Sequence, residues 1–307
     1  MSQSEPLARA IARHLPADGT VATAIPGVTL IRASTPTLPM PVVYEPTVCF
    51  VAQGRKRALL GTAVYDYDPA HHLIASVGLP VVGAVTAASR EAPYLSLQLD
   101  LDPRELAELA LDHPAPASAR GDVAAPPGLT LGTTAPALLD AATRLVALLD
   151  TPADAAALAP LVRREIHYRL LAAPEGAALR QLARADTRLS QIGRAIRWIR
   201  DHYRERCRVD EAAAMAALSR SAFHHHFKAV TGLSPLAFRT RLRLQEARRL
   251  MLSEAIEAAS AGYRVGYESP SQFSRDYARL FGAPPAADAG RLRAAAATGG
   301  RAAAAAG

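Results

Sequence analysis

The stretch that decides the fold of this chain reads VGYESPSQFSR and spans residues 265–275. Ser269 is followed by Pro270 and, three positions on, by Gln272, which is the pattern of a capping box with proline at the first helical position. Gly266 suits a tight backbone turn. The stretch therefore predicts a turn and then a helix that begins at Pro270.

This helix is predicted to have two different faces. Phe273, Tyr277 and Leu280 recur at helical spacing and form a buried stripe. The remaining positions are small, polar or basic and face outward: Pro270, Ser271, Ser274, Arg275 and Ala278. The whole segment from Ser253 to about Gly282 therefore predicts a helix-turn-helix unit.

A second helix-turn-helix pattern lies upstream, between Val209 and Thr231. A first helix from Asp210 is followed by a turn at Ala217-Leu218, and a second helix is capped by Ser219 and runs to Val230. The predicted buried stripe consists of Phe223, Phe227 and Val230, with His226 beside them on the packed side. The predicted outer face consists of Arg220, Ser221, His224, His225 and Lys228.

The two units are joined by a helix that Ser234 caps, that Pro235 opens and that extends to about Leu252. At 1.5 Å per residue this rod is roughly 27 Å long. Since B-DNA presents the same face every 34–36 Å, two helices on one rigid arm can enter adjacent major grooves. The arginines predicted to meet phosphates on and near the rod are Arg239, Arg241, Arg243, Arg248 and Arg249.

The length and the charge distribution of the chain indicate two domains with different roles. The chain has 307 residues, which suggests two domains, and a formal net charge of +7. Residues 1–160 contain 10 basic and 15 acidic residues, whereas residues 161–307 contain 25 basic and 13 acidic ones. A basic half joined to an acidic half indicates that one domain meets a polyanion and that the other has a different task.

The acidic half is predicted to be β-rich after a short helix at residues 5–15. Gly and Pro separate short runs of β-formers at intervals of about 8 to 12 residues, a spacing typical of a small barrel or sandwich. The predicted strands cover residues 28–31, 47–52, 57–60, 63–67, 73–77, 82–86 and 94–100. Leu95, Leu97 and Leu99 share one buried face. Helices are predicted at residues 103–111, 136–149 and 159–172, with a loop over residues 113–136.

Several other residues have two readings, of which one is favoured. His71-His72 and His224-His225-His226 lack metal-ligand spacing, so no metal and no other cofactor is predicted. Arg55-Lys56-Arg57 is expected to be a solvated hairpin turn rather than a second nucleic-acid site. Cys49, in an apolar run, is expected to be a small buried hydrophobe rather than a sensor thiol.

The cysteine pattern and the hydropathy predict the cellular setting. Cys49 and Cys207 lie too far apart in sequence to define a disulfide framework, and no apolar stretch of 18 residues occurs. Met1–Leu15 lacks the continuous apolar core of a signal peptide. We therefore expect a cytoplasmic protein without a membrane partner.

The basic half resembles the AraC/XylS family of transcription regulators over about residues 189–290. The resemblance is carried by the segments 219–235, 243–250 and 265–275 and by Phe281-Gly282 and Pro284-Pro285. Residues 35–110 are similar to the N-terminal domain of one subgroup of this family. Gly262 departs from the pattern, because the family commonly has alanine there. Glycine within a helix predicts that the second helix-turn-helix unit is less rigid.

The resemblance implies particular contacts with DNA. Its base-reading positions fall on Ser221, His224, His225, Ser271, Ser274 and Arg275. Phosphate contacts are expected from Arg220, Lys228, Arg249 and Ser269. The implied partners are double-stranded DNA, RNA polymerase and an unidentified small-molecule effector, with a homodimer as a compatible assembly.

These observations predict an α+β protein of two domains. A β-rich, cupin-like regulatory domain with helices spans residues 1–186, an all-helical DNA-binding domain with two helix-turn-helix units spans residues 187–289, and residues 290–307 form a disordered alanine-rich tail. The predicted function is sequence-specific transcription regulation controlled by a signal at the N-terminal domain, and the sequence leaves open whether the protein is an activator or a repressor. The alternatives are a cupin-like barrel enzyme, for which no catalytic residues stand out, and a nonspecific architectural DNA-binding protein.

Overall fold

The computed structural model describes residues 3–113, 126–184, 187–205 and 208–304, with side chains through residue 294. Cys207 lies outside the described residues. The described chain divides into two compact units. The first unit comprises the residues up to Arg194 together with Ser221–Leu233, and the second comprises Ala195–Arg220 together with those from Ser234 onward.

The elements alternate little along the chain, because strands dominate the first hundred residues and helices dominate the remainder. The strands are β1 (Gly19–Ala22), β2 (Val28–Ala33), β3 (Met40–Tyr44), β4 (Thr47–Gln53), β5 (Arg55–Leu60), β6 (Ala63–Tyr67), β7 (His71–Ala75), β8 (Leu79–Ala87), β9 (Tyr94–Asp100) and β10 (Leu129–Thr133). The helices are α1 (Glu5–His14), α2 (Pro103–Asp112), α3 (Pro136–Ala147), α4 (Pro152–Ala172), α5 (Ala177–Ala183), α6 (Arg188–Asp201), α7 (Val209–Met215), α8 (Arg220–Thr231), α9 (Pro235–Ser253), α10 (Ala258–Arg264), α11 (Pro270–Phe281) and α12 (Pro285–Ala304).

The strands form two antiparallel sheets in the first unit. One sheet has the order β1-β2-β9-β4-β7-β10 and the other has the order β3-β8-β5-β6. This arrangement confirms the predicted β-rich N-terminal region followed by helices. The loop expected over residues 113–136 is wrong in part, because Leu129–Thr133 pairs along its whole length with β7.

The first core lies between the six-stranded sheet and helices α1 to α5. Leu95, Leu97 and Leu99 pack in it against residues of α1 and α2 such as Leu7 and Leu106. Tyr94 and Ser96, which alternate with the first of these leucines on β9, are buried as well. Because successive residues of a strand point to opposite faces, β9 is buried on both faces, and its second face is turned to the four-stranded sheet.

All residues of helix α8 except the first, Arg220, belong to the first unit. The backbone N–H of Gly128, just before β10, donates a hydrogen bond of 2.8 Å to the carbonyl oxygen of Val230. The backbones of Gly61 and Gly232 also approach closely, since a Cβ added to Gly61 would lie 2.9 Å from the Gly232 carbonyl oxygen. The end of α8 is therefore packed against the β-rich part of its unit.

The second unit has a core of its own around the linking helix α9. Ser234 caps α9 by accepting a hydrogen bond of 3.2 Å from the backbone N–H of Ala237, as predicted. Residues of α9, α10, α11 and α12 meet in this core, among them Leu250, Val265 and Phe273. Helix α12 continues to Ala304, into the part of the chain for which the sequence predicts disorder. The proposed domain limits and the disorder of the tail stay predictions.

Candidate nucleic-acid interface

Helix α11 begins and ends as its sequence predicts. The Ser269 hydroxyl accepts a hydrogen bond of 3.4 Å from the backbone N–H of Gln272, which satisfies one of the free N–H groups of the first turn. The helix ends at Gly282, whose φ of 75° is the left-handed conformation common after a last helical turn. Both ends of this candidate recognition helix are therefore fixed by local chemistry.

The two faces of α11 differ in burial. Phe273 and Tyr277 are fully buried, whereas Leu280 of the predicted stripe is only half-buried. On the opposite face, Ser271 and Arg275 are exposed and Ser274 is half-buried. The residues predicted to read bases on this helix thus lie on its accessible side.

A buried ionic network holds the packed face of α11. Arg248 of α9 donates hydrogen bonds of 2.8 and 3.1 Å to the carboxylate of Asp288 on α12, and the Tyr277 hydroxyl donates one of 2.9 Å to the same carboxylate. Burial acts to raise the pKa of Asp288, but hydrogen bonds from Arg248, Arg291 and Tyr277 outweigh it and lower that pKa. The ionised carboxylate therefore connects α9, α11 and α12.

The turn before α11 depends on glycine. Gly266 has a φ of 91°, and a Cβ at this position would lie 2.0 Å from the carbonyl oxygen of Arg204. The guanidinium of Arg243 donates to the carbonyl oxygens of Tyr203, Arg204 and Glu205 at 2.6 to 2.9 Å. The turn and the segment after α6 are thus packed closely around one buried arginine.

Helix α8 shows the predicted packed stripe, with one correction. Phe223, Phe227 and Val230 are buried, but His226 is half-buried, so its placement in the core is wrong. His226 follows Phe223 by three positions yet lies at the edge of the packed stripe. Partial burial, together with Arg188 and His225 nearby, lowers the pKa of His226.

The other polar residues of α8 lie where the sequence predicts them. Ser221, His225 and Lys228 are exposed and His224 is half-buried. Arg220 is exposed at the start of the helix, with its Nη1 atom 3.6 Å from the carboxylate of Asp210 on α7. Their roles in binding bases and phosphates stay predictions.

Two of the five arginines predicted to meet phosphates cannot do so. Arg243 and Arg248 are 7% and 5% exposed, and both bind groups inside the second unit. Most residues of α9 between Leu242 and Met251 are buried, so a basic side chain in this part of the helix is not accessible merely because it is basic. Arg249 is exposed, but its guanidinium makes two hydrogen bonds of 2.8 Å to the carboxylate of Glu246.

The expected hairpin turn at residues 55–57 is also wrong. These residues open strand β5, with Arg55 and Arg57 exposed and Lys56 directed to the inside, because side chains alternate along a strand. Alternation also separates His71, which is exposed, from His72, which is fully buried and whose pKa burial lowers to about 4. Among the described residues, no group of three or more His, Cys, Asp or Glu could hold a metal ion.

Cys49 is buried in β4, and burial is the main cause that raises the pKa of its thiol to about 11. A thiol that stays protonated at neutral pH is a poor nucleophile. This supports the prediction of a small buried hydrophobe over that of a sensor thiol.

The N-terminal and the C-terminal part of the chain each match the model of a known family. Residues 24–178, which include strands β2 to β10 and helices α2 to α4, match the family model of the AraC-type transcriptional regulator N-terminus. The chain belongs to the AraC-type transcriptional regulators. A helix-turn-helix domain model matches residues 202–290 of this AraC-type regulator, a range that contains both α8 and α11. In the part of the chain that the structure describes, no helix is long and apolar enough to cross a bilayer.

Individual relatives agree with the family. A 96-residue segment of this AraC-type regulator is 30% identical to the HTH-type transcriptional activator RhaS of Escherichia coli strain SE11, which is 31% of this chain and 34% of that protein. The match thus spans about a third of the length of that relative.

Solved structures show the fold. The regulator resembles ToxT of Vibrio cholerae with a TM-score of 0.56 and 10% identity, over 85% of this chain and 97% of that one. A second ToxT structure, with an unsaturated fatty acid bound, gives a TM-score of 0.54 and 11% identity, over 86% and 93% of the two chains. At about 10% identity, these similarities show a shared fold and nothing further.

Proposed function

We propose that this chain is a sequence-specific DNA-binding transcription activator, whose helices α8 and α11 enter adjacent major grooves of one duplex. The observation that supports it best is α11: a capped helix exposes Ser271 and Arg275 on one side and is anchored by Phe273 and Tyr277 on the other. Arginine on such a face can bind guanine O6 and N7.

The proposed base contacts come from Ser221, His224, His225, Ser271, Ser274 and Arg275. Phosphate contacts are proposed for Arg220, Lys228, Arg249 and Ser269, and the Arg249 contact requires phosphate to compete with Glu246. RNA polymerase is the second proposed partner, a cytoplasmic location follows from these partners, and we propose no enzymatic activity.

Selection from a randomised duplex library followed by footprinting tests this function. We expect enrichment of a defined sequence and protection of about 20 base pairs, which is two helical turns. Transcription in vitro from a promoter that carries the selected site should increase when the protein is added. Uniform protection without an enriched sequence would instead identify a nonspecific architectural protein.

A further inference from the structure

Three consecutive histidines lie on the candidate recognition helix α8. We name His224, His225 and His226 the histidine run. His225 is exposed, whereas His224 and His226 are half-buried. Because successive residues of a helix are about 100° apart around its axis, the three imidazoles point in different directions. Only one of them can therefore lie at the centre of the exposed face.

His225 occupies that centre. Ser221, four positions before it, and Lys228, three positions after it, are exposed on the same side of the helix. Phe223 and Phe227, which lie two positions before and after His225, are fully buried. Of the three histidines, His225 is therefore the one that points directly away from the packed side of α8.

The imidazole of His225 has no polar partner within the described part of the protein. It makes no hydrogen bond and no ion pair with the described residues, and its ring meets that of His226 with 5.2 Å between the ring centroids. Both ring nitrogens carry hydrogen-bonding capacity. This capacity is therefore available to a ligand that meets the exposed face of α8.

The charged groups around the histidine run are mainly basic. Lys228 lies on the same face of α8, and Arg220 lies at its start. Arg188 of α6 contributes to the lowered pKa of His226, although partial burial is the larger cause. Asp210 of α7 is an acidic neighbour, but it lies 3.6 Å from Nη1 of Arg220 and pairs with it. No carboxylate of the described residues lies within 4.0 Å of a ring nitrogen of the run, so the described protein provides no counter-charge for an imidazolium.

Protonation changes which base an imidazole can recognise. Neutral imidazole has one N–H donor and one acceptor nitrogen, whereas imidazolium has two donors and no acceptor. In the major groove, guanine presents the acceptors N7 and O6, whereas adenine presents the acceptor N7 beside its N6 amino donor. The imidazolium form therefore favours guanine over adenine, and the neutral form is compatible with either base.

We propose that His225 reads a guanine of the DNA site in its protonated form, so that binding takes up a proton and strengthens as the pH falls. The phosphates of the duplex supply the negative charge that the protein lacks on this face, and a nearby anion favours the charged form of histidine. Histidine is also the side chain that ordinarily changes its charge between about pH 5 and 8. This proposal rests on the proposed function, which assigns α8 to a major groove.

Helix α11 provides an internal comparison. Its proposed base-contacting residues are Ser271, Ser274 and Arg275, and neither serine nor arginine changes its charge in the range in which histidine does. The base preference at the positions that α11 contacts should therefore not depend on pH in this range, whereas the preference at the position that His225 contacts should.

Selection from a randomised duplex library at about pH 6 and about pH 8, at one ionic strength, tests this difference. We expect one position to enrich guanine more strongly at the lower pH, and it should be the position at which His225→Ala relaxes the preference. On a duplex with guanine there, fluorescence anisotropy should show an affinity about five- to tenfold higher at the lower pH, as expected for one proton whose binding the duplex favours about tenfold. A duplex with adenine at that position should gain less.

Variants of the histidine run separate recognition by His225 from other effects of pH. His225→Ala should lose the gain in affinity at the lower pH. His225→Arg keeps a permanent charge, so it should prefer guanine equally at both pH values. His226→Gln is the matched control, because it removes the neighbouring half-buried imidazole, and it should retain the pH dependence of the wild type. Circular dichroism checks the fold of each variant.

Two results overturn the proposal. One is an affinity for the guanine duplex that does not change with pH, and the other is a gain at the lower pH that persists in His225→Ala. In both cases an enriched sequence would leave the proposed function standing. If no sequence is enriched at either pH, the proposed function fails and this proposal fails with it.

Discussion

Arg243 and Arg248 lie inside the second unit, whereas Arg275 lies on its surface, although all three are arginines of one basic segment. The buried pair binds backbone carbonyls and a carboxylate of the protein itself. Arg275 makes no ion pair with the described residues. At the scale of single residues, exposure and pairing therefore decide which arginine is available to DNA.

The first prediction concerns Arg275. Replacement by alanine should cost about 1–3 kcal/mol of binding to the selected sequence and relax the preference at one base position. Arg279 is the matched control, because it is exposed on the same helix and interacts with Asp276. Binding by Arg279→Ala to a set of single-base variants should follow the wild-type preference. Equal relaxation in both variants would show that the base-reading face is assigned wrongly.

The second prediction concerns the buried carboxylate of Asp288. Asp288→Ala leaves Arg248 and the Tyr277 hydroxyl without their partner, so it should lower the free energy of unfolding by about 3–5 kcal/mol. Urea denaturation measures this change. Arg279→Ala, which breaks an exposed ion pair with Asp276, should cost about 1 kcal/mol or less. Similar losses in the two variants would contradict the importance of the buried network.

The third prediction is the pH dependence of the same group. The pKa of Asp288 lies below its ordinary value of 3.8 in the folded protein, because its hydrogen bonds outweigh the effect of burial. Its contribution is therefore present above pH 3.8 and is lost as the pH falls through the folded pKa. The stability difference between the wild type and Asp288→Asn should be constant from pH 5 to 7 and shrink below about pH 4. A difference that grows on acidification would contradict this sign.

At the scale of elements, the structure gives Gly262 a packing role that the sequence does not indicate. A Cβ at Gly262 of α10 would lie 2.9 Å from Cγ of Phe273 on α11. The glycine therefore permits the close approach of two helices. The expected loss of rigidity stays a prediction, but the contact gives a reason for glycine where the resemblance implies alanine.

The fourth prediction compares two glycines. Gly262→Ala should lower the free energy of unfolding by about 1–3 kcal/mol, because overpacking against Phe273 outweighs the better helix propensity. Gly290→Ala in α12 is the control, since an added Cβ there meets no atom within 4 Å. That control should raise the stability by about 0.5–1 kcal/mol. Thermal or urea denaturation measures both, and stabilisation by both would remove the steric explanation.

The elements differ in how well their sequence predicts them. Strands β6 and β9 begin and end at the predicted residues, and α9 and α11 begin at the prolines expected to open them, because alternation and capping are local signals. Strands β1, β3 and β10 were not predicted. They are edge strands, and β10 exists through its pairing with β7.

At the scale of the whole molecule, charge is distributed as a DNA-binding function requires. The last 147 residues contain the basic excess, but part of it is used internally by arginines such as Arg243 and Arg248. The proposed phosphate contacts therefore fall on the exposed remainder, which includes Arg220 and Lys228.

The fifth prediction is the salt dependence of binding. If 6–10 phosphates are contacted, the affinity for the selected duplex should fall by about 10³–10⁵ between 50 and 200 mM salt. Lys228→Ala should reduce the slope of log affinity against log salt by about 1 without changing the base preference. Fluorescence anisotropy at several salt concentrations measures the slope. A flat response would contradict binding through phosphates.

The sequence by itself determined the helix starts at Pro235 and Pro270, the alternation of β9, the basic second half and the resemblance to one family. These features depend on neighbours in the chain, whose hydrogen bonds and periodicity are local. Only the tertiary structure decided that Arg243 and Arg248 are buried, that β10 pairs with β7, and that Lys56 meets Tyr44 and Tyr94 between two sheets. Burial and pairing bring together residues that are distant in sequence, so the partner that fixes each of them is absent from its local pattern.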